Sequence, residues 1–156
     1  MLAIIGKADP NPDNGDIEYL LRDFRAKLHT DRRFVYAWSF NPDRTAIDLL
    51  RSRLNAGEDV YLYLPAARRQ SNLRMRIEDF RNRYEGGGML CPDEWRRYCV
   101  NLLENRREVG ANRFIHIWFV ISAIEDCPSC PSESVVKEAI LPIKWGCLTG
   151  GTRRMV

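Results

Sequence analysis

The longest strand-like run of the chain, residues 113–125 (RFIHIWFVISAIE), constrains the fold more than any other stretch. Side chains of a β-strand alternate between the two faces of a sheet. The even positions, which include His116, Trp118 and Ser122, mix aromatic, titratable and hydroxyl groups. The odd positions form one wholly apolar face: Ile115, Ile117, Phe119, Ile121 and Ala123. Because the run is about twice the usual strand length, it predicts a curved sheet or barrel.

The rest of the chain divides into further strands and helices by its hydrophobic periodicity. Residues 71–84 fit two patterns. Leu73, Met75 and Ile77 alternate as in a strand, whereas Leu73, Ile77, Phe80 and Tyr84 also have helical spacing. The unbroken alternation favours the strand. The other predicted elements are a strand over 1–6, a helix beginning at Asp16, a strand over 33–40, a helix over 45–55, a strand over 58–65, a helix from Pro92 to Gly110 and a strand over 140–145.

Length and composition predict one globular domain over residues 1–156, which is also a size expected of a module within a larger protein. No run of apolar residues is long enough to cross a membrane, and MLAIIGK is too short for a secretion signal, so we expect a cytoplasmic protein. Five cysteines without a secretory context argue against a disulfide framework. Cys127 and Cys130 form a single CxxC without a spaced partner, and we assign no metal and no cofactor.

Arginine outnumbers lysine by 20 to four, although the net charge is only +3. Guanidinium groups bind phosphate through two hydrogen bonds and stack on bases, so this bias favours a nucleic-acid partner. The alternative is that these arginines form surface ion pairs with the 21 acidic residues. The densest group is the six arginines of residues 68–83, the last of which is Arg83, and it is predicted to follow a phosphate backbone. The residues assigned to this contact are Arg68, Arg69, Arg74, Arg76 and Arg81.

Aromatic side chains are the other abundant feature of the predicted strands. They exceed what the apolar faces need, because aliphatic residues already fill the opposite positions. A base stacked on such rings gains about 1–3 kcal/mol, which is comparable with the few kcal/mol needed to flip it from a duplex. A pocket for a flipped base is therefore feasible. The aromatic residues in question are Tyr36, Trp38, Phe40, Tyr61, Tyr63 and Trp118.

The order of elements from residue 34 to 145 resembles the EVE/YTH branch of the PUA-like superfamily. The matching segments are FVYAWSF (34–40), AIDLLRSRLNAG (46–57), GEDVYLYLP (57–65) and LRMRIEDF (73–80), followed by RFIHIWFVISAIED (113–126) and ILPIKW (140–145). Members of this family are small β-barrels that bind RNA or modified bases in an aromatic pocket. Some are DNA-recognition modules of modification-dependent restriction systems.

The resemblance implies a base pocket near the end of the second strand. It places Trp38 and Ser39, Phe40 and Asn41 in the pocket wall, with Tyr63 on a neighbouring strand. We add Trp118 as a possible third ring and Asp43 as an alternative to Asn41 for reading the edge of the base. The expected protein is an α+β domain with a small curved mixed β-barrel and flanking helices.

A different fold follows if residues 71–84 form a helix. Strands and helices would then alternate as in an open α/β Rossmann-like sheet. Such a sheet would place Asp9, Asp13, Asp43 and Arg44 near a nucleotide or phosphosugar and would indicate an enzyme. A third reading is an interaction domain without a ligand.

Our prediction from sequence is binding of nucleic acid, with DNA favoured over RNA, and recognition of a flipped, modified base. It includes no catalytic residue in this chain and no membrane contact. Any catalysis is expected from a fused or associated effector domain.

Overall fold

Five strands form one mixed sheet in the computed structural model of this protein. The structure describes residues 3–5, 18–38, 44–64, 73–100, 103–108, 114–126, 144–145 and 154–155. Its strands and helices are, in chain order, β1 (Ala3–Ile5), α1 (Glu18–Asp31), β2 (Phe34–Trp38), α2 (Arg44–Asn55), β3 (Val60–Leu64), β4 (Leu73–Asn82), β5 (Ile117–Asp126), β6 (Lys144–Trp145) and β7 (Arg154–Met155). Two 3₁₀ turns, Asp93–Tyr98 and Leu103–Asn105, lie between β4 and β5.

The strands are arranged in the order β1-β3-β4-β5-β2. Strand β1 runs parallel to β3, and every other neighbouring pair in this sheet is antiparallel. In the described part of the chain β1 and β2 are therefore the two edges, and the sheet does not close on itself. The predicted α+β class is confirmed.

The run over 71–84 is a strand, as its alternation predicts. Leu73, Met75 and Ile77 are buried, and β4 pairs with β3 on one side and with β5 on the other. Strands β3 and β4 are consecutive and pair antiparallel, whereas an α/β unit requires parallel strands joined by a helical crossover. The Rossmann-like alternative is therefore wrong.

An irregularity in the β4–β5 ladder changes which face the later residues of β4 occupy. Ile77 pairs with Ile121 and Asp79 pairs with Val120, so Glu78 has no opposite residue. An extra residue of this kind shifts the alternation by one position. Phe80 consequently returns to the interior, where it is 1% exposed.

Both helices pack on one face of the sheet and form the main core. The helix α1 contributes Leu21 and Phe24, and the Phe24 ring stacks on Phe34 of β2 with their centroids 4.6 Å apart. The helix α2 contributes Ile47 and Leu50. Their apolar residues follow the three- and four-residue spacing of a helix with one buried side, so tertiary burial reinforces the helical propensity.

A second core lies on the other face, beneath residues 89–100. Cys91, Trp95 and Tyr98 pack there against Trp118 and Val120. The prediction of one helix from Pro92 to Gly110 is wrong, because residues 93–98 form a 3₁₀ turn and the backbone is extended at Cys99. A 3₁₀ turn has three residues per turn, which brings Trp95 and Tyr98 to the same side. Val100 then packs in the main core, which a continuous helix would prevent.

The run over 113–125 is observed as strand β5 from Ile117, with a single bridge between Phe114 and Glu108 before it. Ile117, Phe119 and Ile121 pack in the main core, as predicted. Ile115 precedes the strand and packs in the second core, so its predicted place on the Ile117 face is wrong. Residues 117–121 are buried on both faces.

Several predicted features fall outside the described residues. They are the Asp16 helix start, the Cys127–Cys130 pair and most of the late strand. Of that strand, Lys144 and Trp145 pair with Met155 and Arg154 in a separate two-stranded sheet. No helix among the residues described is long and apolar enough to cross a bilayer.

Candidate nucleic-acid interface

The structure does not bring Tyr63 and Trp118 together at a pocket wall. Trp118 has no exposed surface, and its indole nitrogen donates a hydrogen bond to the Met89 carbonyl at 2.8 Å. Tyr63 is 7% exposed and belongs to the main core, whereas Trp118 belongs to the second. A buried ring cannot stack on a base, so the prediction that these two rings line a pocket is wrong.

The remaining predicted pocket residues follow β2. Trp38 ends this strand, where its backbone pairs with Ile117. The Trp38 side chain and residues Ser39, Phe40, Asn41 and Asp43 lie outside the described part of the structure. Their roles remain predictions.

Three of the predicted backbone-binding arginines share one face of β4, since the irregularity at Glu78 carries Arg81 to the same side as Arg74 and Arg76. Arg68 and Arg69 lie outside the described residues. The three described side chains each bind a carboxylate: Arg74 with Glu125 at 2.7 Å, Arg76 with Asp59 at 2.7 Å and Arg81 with Glu94 at 3.0 Å. A phosphate would have to displace these carboxylates, as the ion-pair alternative anticipates.

A different group of basic residues lines an open cleft at the end of β4. The chain leaves that strand at Asn82, so Arg83 and Tyr84 follow directly, and Arg44 comes to the same place as the first residue of α2. The cleft has a volume of about 550 Å³, and Glu85 and Gly86 complete its lining. The Arg44 guanidinium carbon lies 4.4 Å from the centre of the Tyr84 ring.

The backbone of Arg83 is held by His116 on the neighbouring chain segment. The Arg83 amide donates to the His116 carbonyl at 2.8 Å, and the His116 ring nitrogen Nδ1 lies 3.2 Å from the Arg83 carbonyl. These two contacts hold both backbone polar groups of Arg83 and so fix the position from which its side chain extends. His116 thus has a local structural role.

Glycines make room for the Arg83 side chain. Gly86 has a φ of 96°, and a Cβ at this position would lie 2.9 Å from Arg83 Nη2. The Arg83 Nη1 donates to the Gly88 carbonyl at 3.0 Å, and Arg107 donates to the same oxygen at 3.4 Å. Gly88 has a φ of 88°, and a Cβ there would collide with the Arg107 carbonyl. The glycine triplet therefore positions two arginines.

The two arginines that line the cleft, and Arg107 beside Arg83, differ from those of β4 in their electrostatic surroundings. Within the described ranges, none of Arg44, Arg83 and Arg107 lies within 4.0 Å of a carboxylate oxygen. Within that part of the chain they contact an aromatic ring and a backbone carbonyl, neither of which carries a negative charge. A guanidinium group in this state retains donors for an anionic ligand.

A second cleft, of about 350 Å³, lies beside the extra residue of β4. Arg33 donates to both oxygens of Glu78, at 2.6 and 2.8 Å. This hydrogen bonding lowers the pKa of Glu78 and raises the pKa of Arg33, so both remain charged at neutral pH. The other two acids of this cleft are paired as well, Asp79 with Arg51 and Glu94 with Arg81.

Sequence reasoning overlooked Tyr84 and Arg107 and named Arg44 only for the Rossmann-like alternative. A signal was present: the segment RYEGGG (83–88) places an arginine and an aromatic residue directly before three glycines. Among the described residues, no three His, Cys, Asp or Glu side chains are grouped as for a metal ion. A comparison with protein-family models, curated proteins and solved structures finds no match to this chain.

Proposed function

We propose that this protein is a nucleic-acid-binding module. It contacts the nucleic acid through the cleft that Arg44, Arg83 and Tyr84 line. One observation carries the proposal: two arginines without a carboxylate partner among the described residues flank an aromatic ring in an open cleft. Arginine and aromatic surfaces together are the usual means of holding a phosphate backbone and an unstacked base.

The phosphate contact is assigned to Arg83, with Arg107 beside it. Both side chains donate one hydrogen bond to the Gly88 carbonyl and keep further N–H groups for a ligand. Gly86 and the His116 contacts hold Arg83 in place before a ligand arrives. A side chain ordered in advance loses less conformational entropy on binding.

The base contact is assigned to the Arg44–Tyr84 stack. Bases stack on aromatic rings and on guanidinium planes alike, and the 4.4 Å separation makes the two groups a single layered surface. The connection from Trp38 to Arg44 contains Ser39, Phe40, Asn41 and Asp43, the residues predicted to hold and read the base. The predicted pocket and the cleft are thus adjacent along the chain.

The finer points of the proposal rest on sequence. They are a PUA-like, EVE/YTH-like barrel, a preference for DNA over RNA, and a flipped, modified base as the ligand. We propose binding without catalysis in this chain, in a cytoplasmic setting, with an effector domain supplying any reaction on the nucleic acid.

The test is a fluorescence-anisotropy titration with labelled oligonucleotides at two salt concentrations. The ligands are a single strand, a matched duplex, and duplexes carrying an unpaired or a modified base. The double variant Arg44→Ala/Arg83→Ala should bind about 30-fold more weakly, and its salt slope should be shallower by roughly one to two units.

The matched control is Arg74→Ala/Arg76→Ala, which removes the same formal charge from β4. It should change affinity less than about threefold, because its carboxylate partners already neutralise those arginines. Equal losses in the two double variants would contradict the assignment to the cleft. Wild-type protein without salt-dependent binding to any of the oligonucleotides would overturn the function and favour an interaction domain.

A further inference from the structure

Two cysteine thiols meet at the margin of the second core. The Sγ atoms of Cys91 and Cys99 lie 3.4 Å apart, in hydrogen-bond contact. Both are free thiols in the structure, and they bracket the 3₁₀ turn Asp93–Tyr98. This pair contributes nothing to the cleft contacts assigned above.

The two sulfurs differ in their access to solvent. Cys91 is 3% exposed and packs with Trp95 and Trp118 in the second core, whereas Cys99 is half-buried at its edge. Cys99 follows the turn in extended conformation, which directs the chain back past Cys91. One thiol is thus reachable from solvent and the other lies directly behind it.

We propose that Cys91 and Cys99 form a reversible dithiol–disulfide modification site that reacts with low-molecular-weight disulfides such as oxidised glutathione. The geometry is the reason: disulfide exchange needs one accessible sulfur and a second sulfur within reach of the resulting mixed disulfide. A disulfide bond is about 2.05 Å long, so bond formation requires the two sulfur atoms to approach each other from their present 3.4 Å.

The reaction proceeds in two exchange steps. The Cys99 sulfur, as thiolate, attacks oxidised glutathione, forms a mixed disulfide and releases one glutathione thiolate. Cys91 then gives its proton to the released glutathione thiolate and attacks the Cys99 sulfur, which forms the Cys91–Cys99 bond and expels the second glutathione as a thiolate that takes a proton from water. The two protein thiols are oxidised by two electrons, and one glutathione disulfide is reduced to two thiols.

The order of attack agrees with the surroundings of Cys91. Hydrogen bonding to Cys99 and burial raise the pKa of the Cys91 thiol, so it stays protonated until Cys99 has reacted. The more exposed Cys99 is therefore the entry point, and Cys91 resolves the mixed disulfide.

The disulfide is expected to stabilise residues 91–99, which cover the second face of the sheet. The bond would close the loop over 91–99, which holds Trp95 and Tyr98 against β2 and β5. Closing a loop of this length lowers the conformational entropy of the unfolded chain, so the Tm of the oxidised protein should be higher by roughly 5 °C.

The test treats the folded protein with oxidised glutathione, quenches it with acid and maps its tryptic peptides. Cleavage after Arg83, Arg96, Arg97 and Arg106 separates the two cysteines, so the bond joins peptide 84–96 to peptide 98–106. We expect this linked species, a mass lower by two hydrogens, and the higher Tm. The variant Cys127→Ser/Cys130→Ser/Cys147→Ser should behave in the same way.

Two control variants separate the roles of the sulfurs. Cys91→Ser should stop at a stable glutathione adduct on Cys99, and Cys99→Ser should react at least tenfold more slowly than wild type. A wild-type protein that yields only the adduct, or forms the linked species faster in urea than in native buffer, would overturn the proposal.

Discussion

Two groups of arginines in this protein differ in what their guanidinium groups contact. The paired arginines each bind a carboxylate on another element, and they are Arg33, Arg51, Arg74, Arg76 and Arg81. The other group contacts a ring or a backbone carbonyl instead: Arg44 and Arg83 line the cleft, and Arg107 shares the Gly88 carbonyl with Arg83. The first group joins separate parts of the chain, and two members of the second line an opening.

This difference shows why charge density along the sequence is a poor guide to a binding site. Residues 68–83 hold six arginines, yet the three described within β4 are neutralised by acids that come from distant parts of the chain. Arg83, the last of the six, has a different environment, because its guanidinium donates to the Gly88 carbonyl and to no carboxylate among the described residues. The partner of an arginine, more than its number of basic neighbours, indicates its role.

The largest effect is expected for a paired arginine whose contacts are partly buried. Arg51 donates to Asp79 at 2.9 Å and to the Phe80 carbonyl at 2.7 Å, and its guanidinium covers the Phe80 ring at 4.0 Å. Arg51→Ala should lower the free energy of unfolding by about 2 kcal/mol, measured by urea denaturation.

The control is Arg53→Ala on the same helix, which removes an exposed pair with Glu58 and should cost less than about 0.5 kcal/mol. Neither variant should change nucleic-acid affinity. A loss of affinity in Arg51→Ala without a change in the urea midpoint would place a paired arginine in the binding site.

An intermediate effect is expected from a glycine that supports the cleft. Gly86→Ala leaves every charge in place but sets a Cβ against the Arg83 guanidinium, so Arg83 must move. We expect about a fivefold loss of affinity in the anisotropy titration, equivalent to about 1 kcal/mol.

Gly57→Ala is the matched control for this glycine. Gly57 also has a positive φ, 76°, but no atom lies within 4 Å of its added Cβ. Both alanines should lower stability by about 1–2 kcal/mol through backbone strain. Only the Gly86 variant should lose affinity, and equal affinity in the two would argue against a preformed Arg83 site.

The smallest effect is expected for the exposed pair of Arg33 and Glu78, and it should depend on pH. Arg33 lowers the pKa of Glu78 in the folded state, so the pair stabilises the fold above the unfolded pKa of about 4.3 and ceases to do so as pH falls through the folded value. Arg33→Gln should therefore cost about 0.7 kcal/mol at pH 7, with partial exposure limiting the figure.

This cost should shrink as the pH is lowered from 5 toward 2, in urea titrations made at each pH. A constant difference between wild type and variant over that range would mean that the Arg33 contribution comes from packing and not from the ion pair. In either case affinity for oligonucleotides should be unchanged.

Local sequence patterns predicted most of the regular elements correctly. The alternation of Leu73, Met75 and Ile77 was sufficient to identify β4, and the periodicity of residues 45–55 identified α2 to within one residue. The prediction of a helix after Pro92 is wrong because this segment packs into both cores. Val100 packs in the main core, whereas Trp95 and Tyr98 pack in the second. Helical propensity depends only on neighbouring residues, so it carries no information about packing into two cores on opposite faces of one sheet.

The sequence predicted the kinds of residue that form the candidate site but not its location in the fold. Arginine and aromatic residues are the chemistry of the cleft, as the composition indicated, yet Trp118 was assigned to a pocket and lies in the interior. Alternation shows that Trp118 and Ile117 face opposite ways, but not that residues 89–100 cover the Trp118 side. That knowledge requires the path of a segment some twenty residues away.

By itself, the sequence determined the α+β class, the strands and helices with clear periodicity, and an arginine supply suited to a polyanion. These properties follow from the intrinsic geometry of helix and strand and from side-chain chemistry, which act over a few residues. Only the tertiary structure decided which arginines meet carboxylates and which remain available, because ion pairs such as Arg74–Glu125 join residues far apart in the chain. The meeting of Arg44 with Tyr84 depends on the same long-range folding.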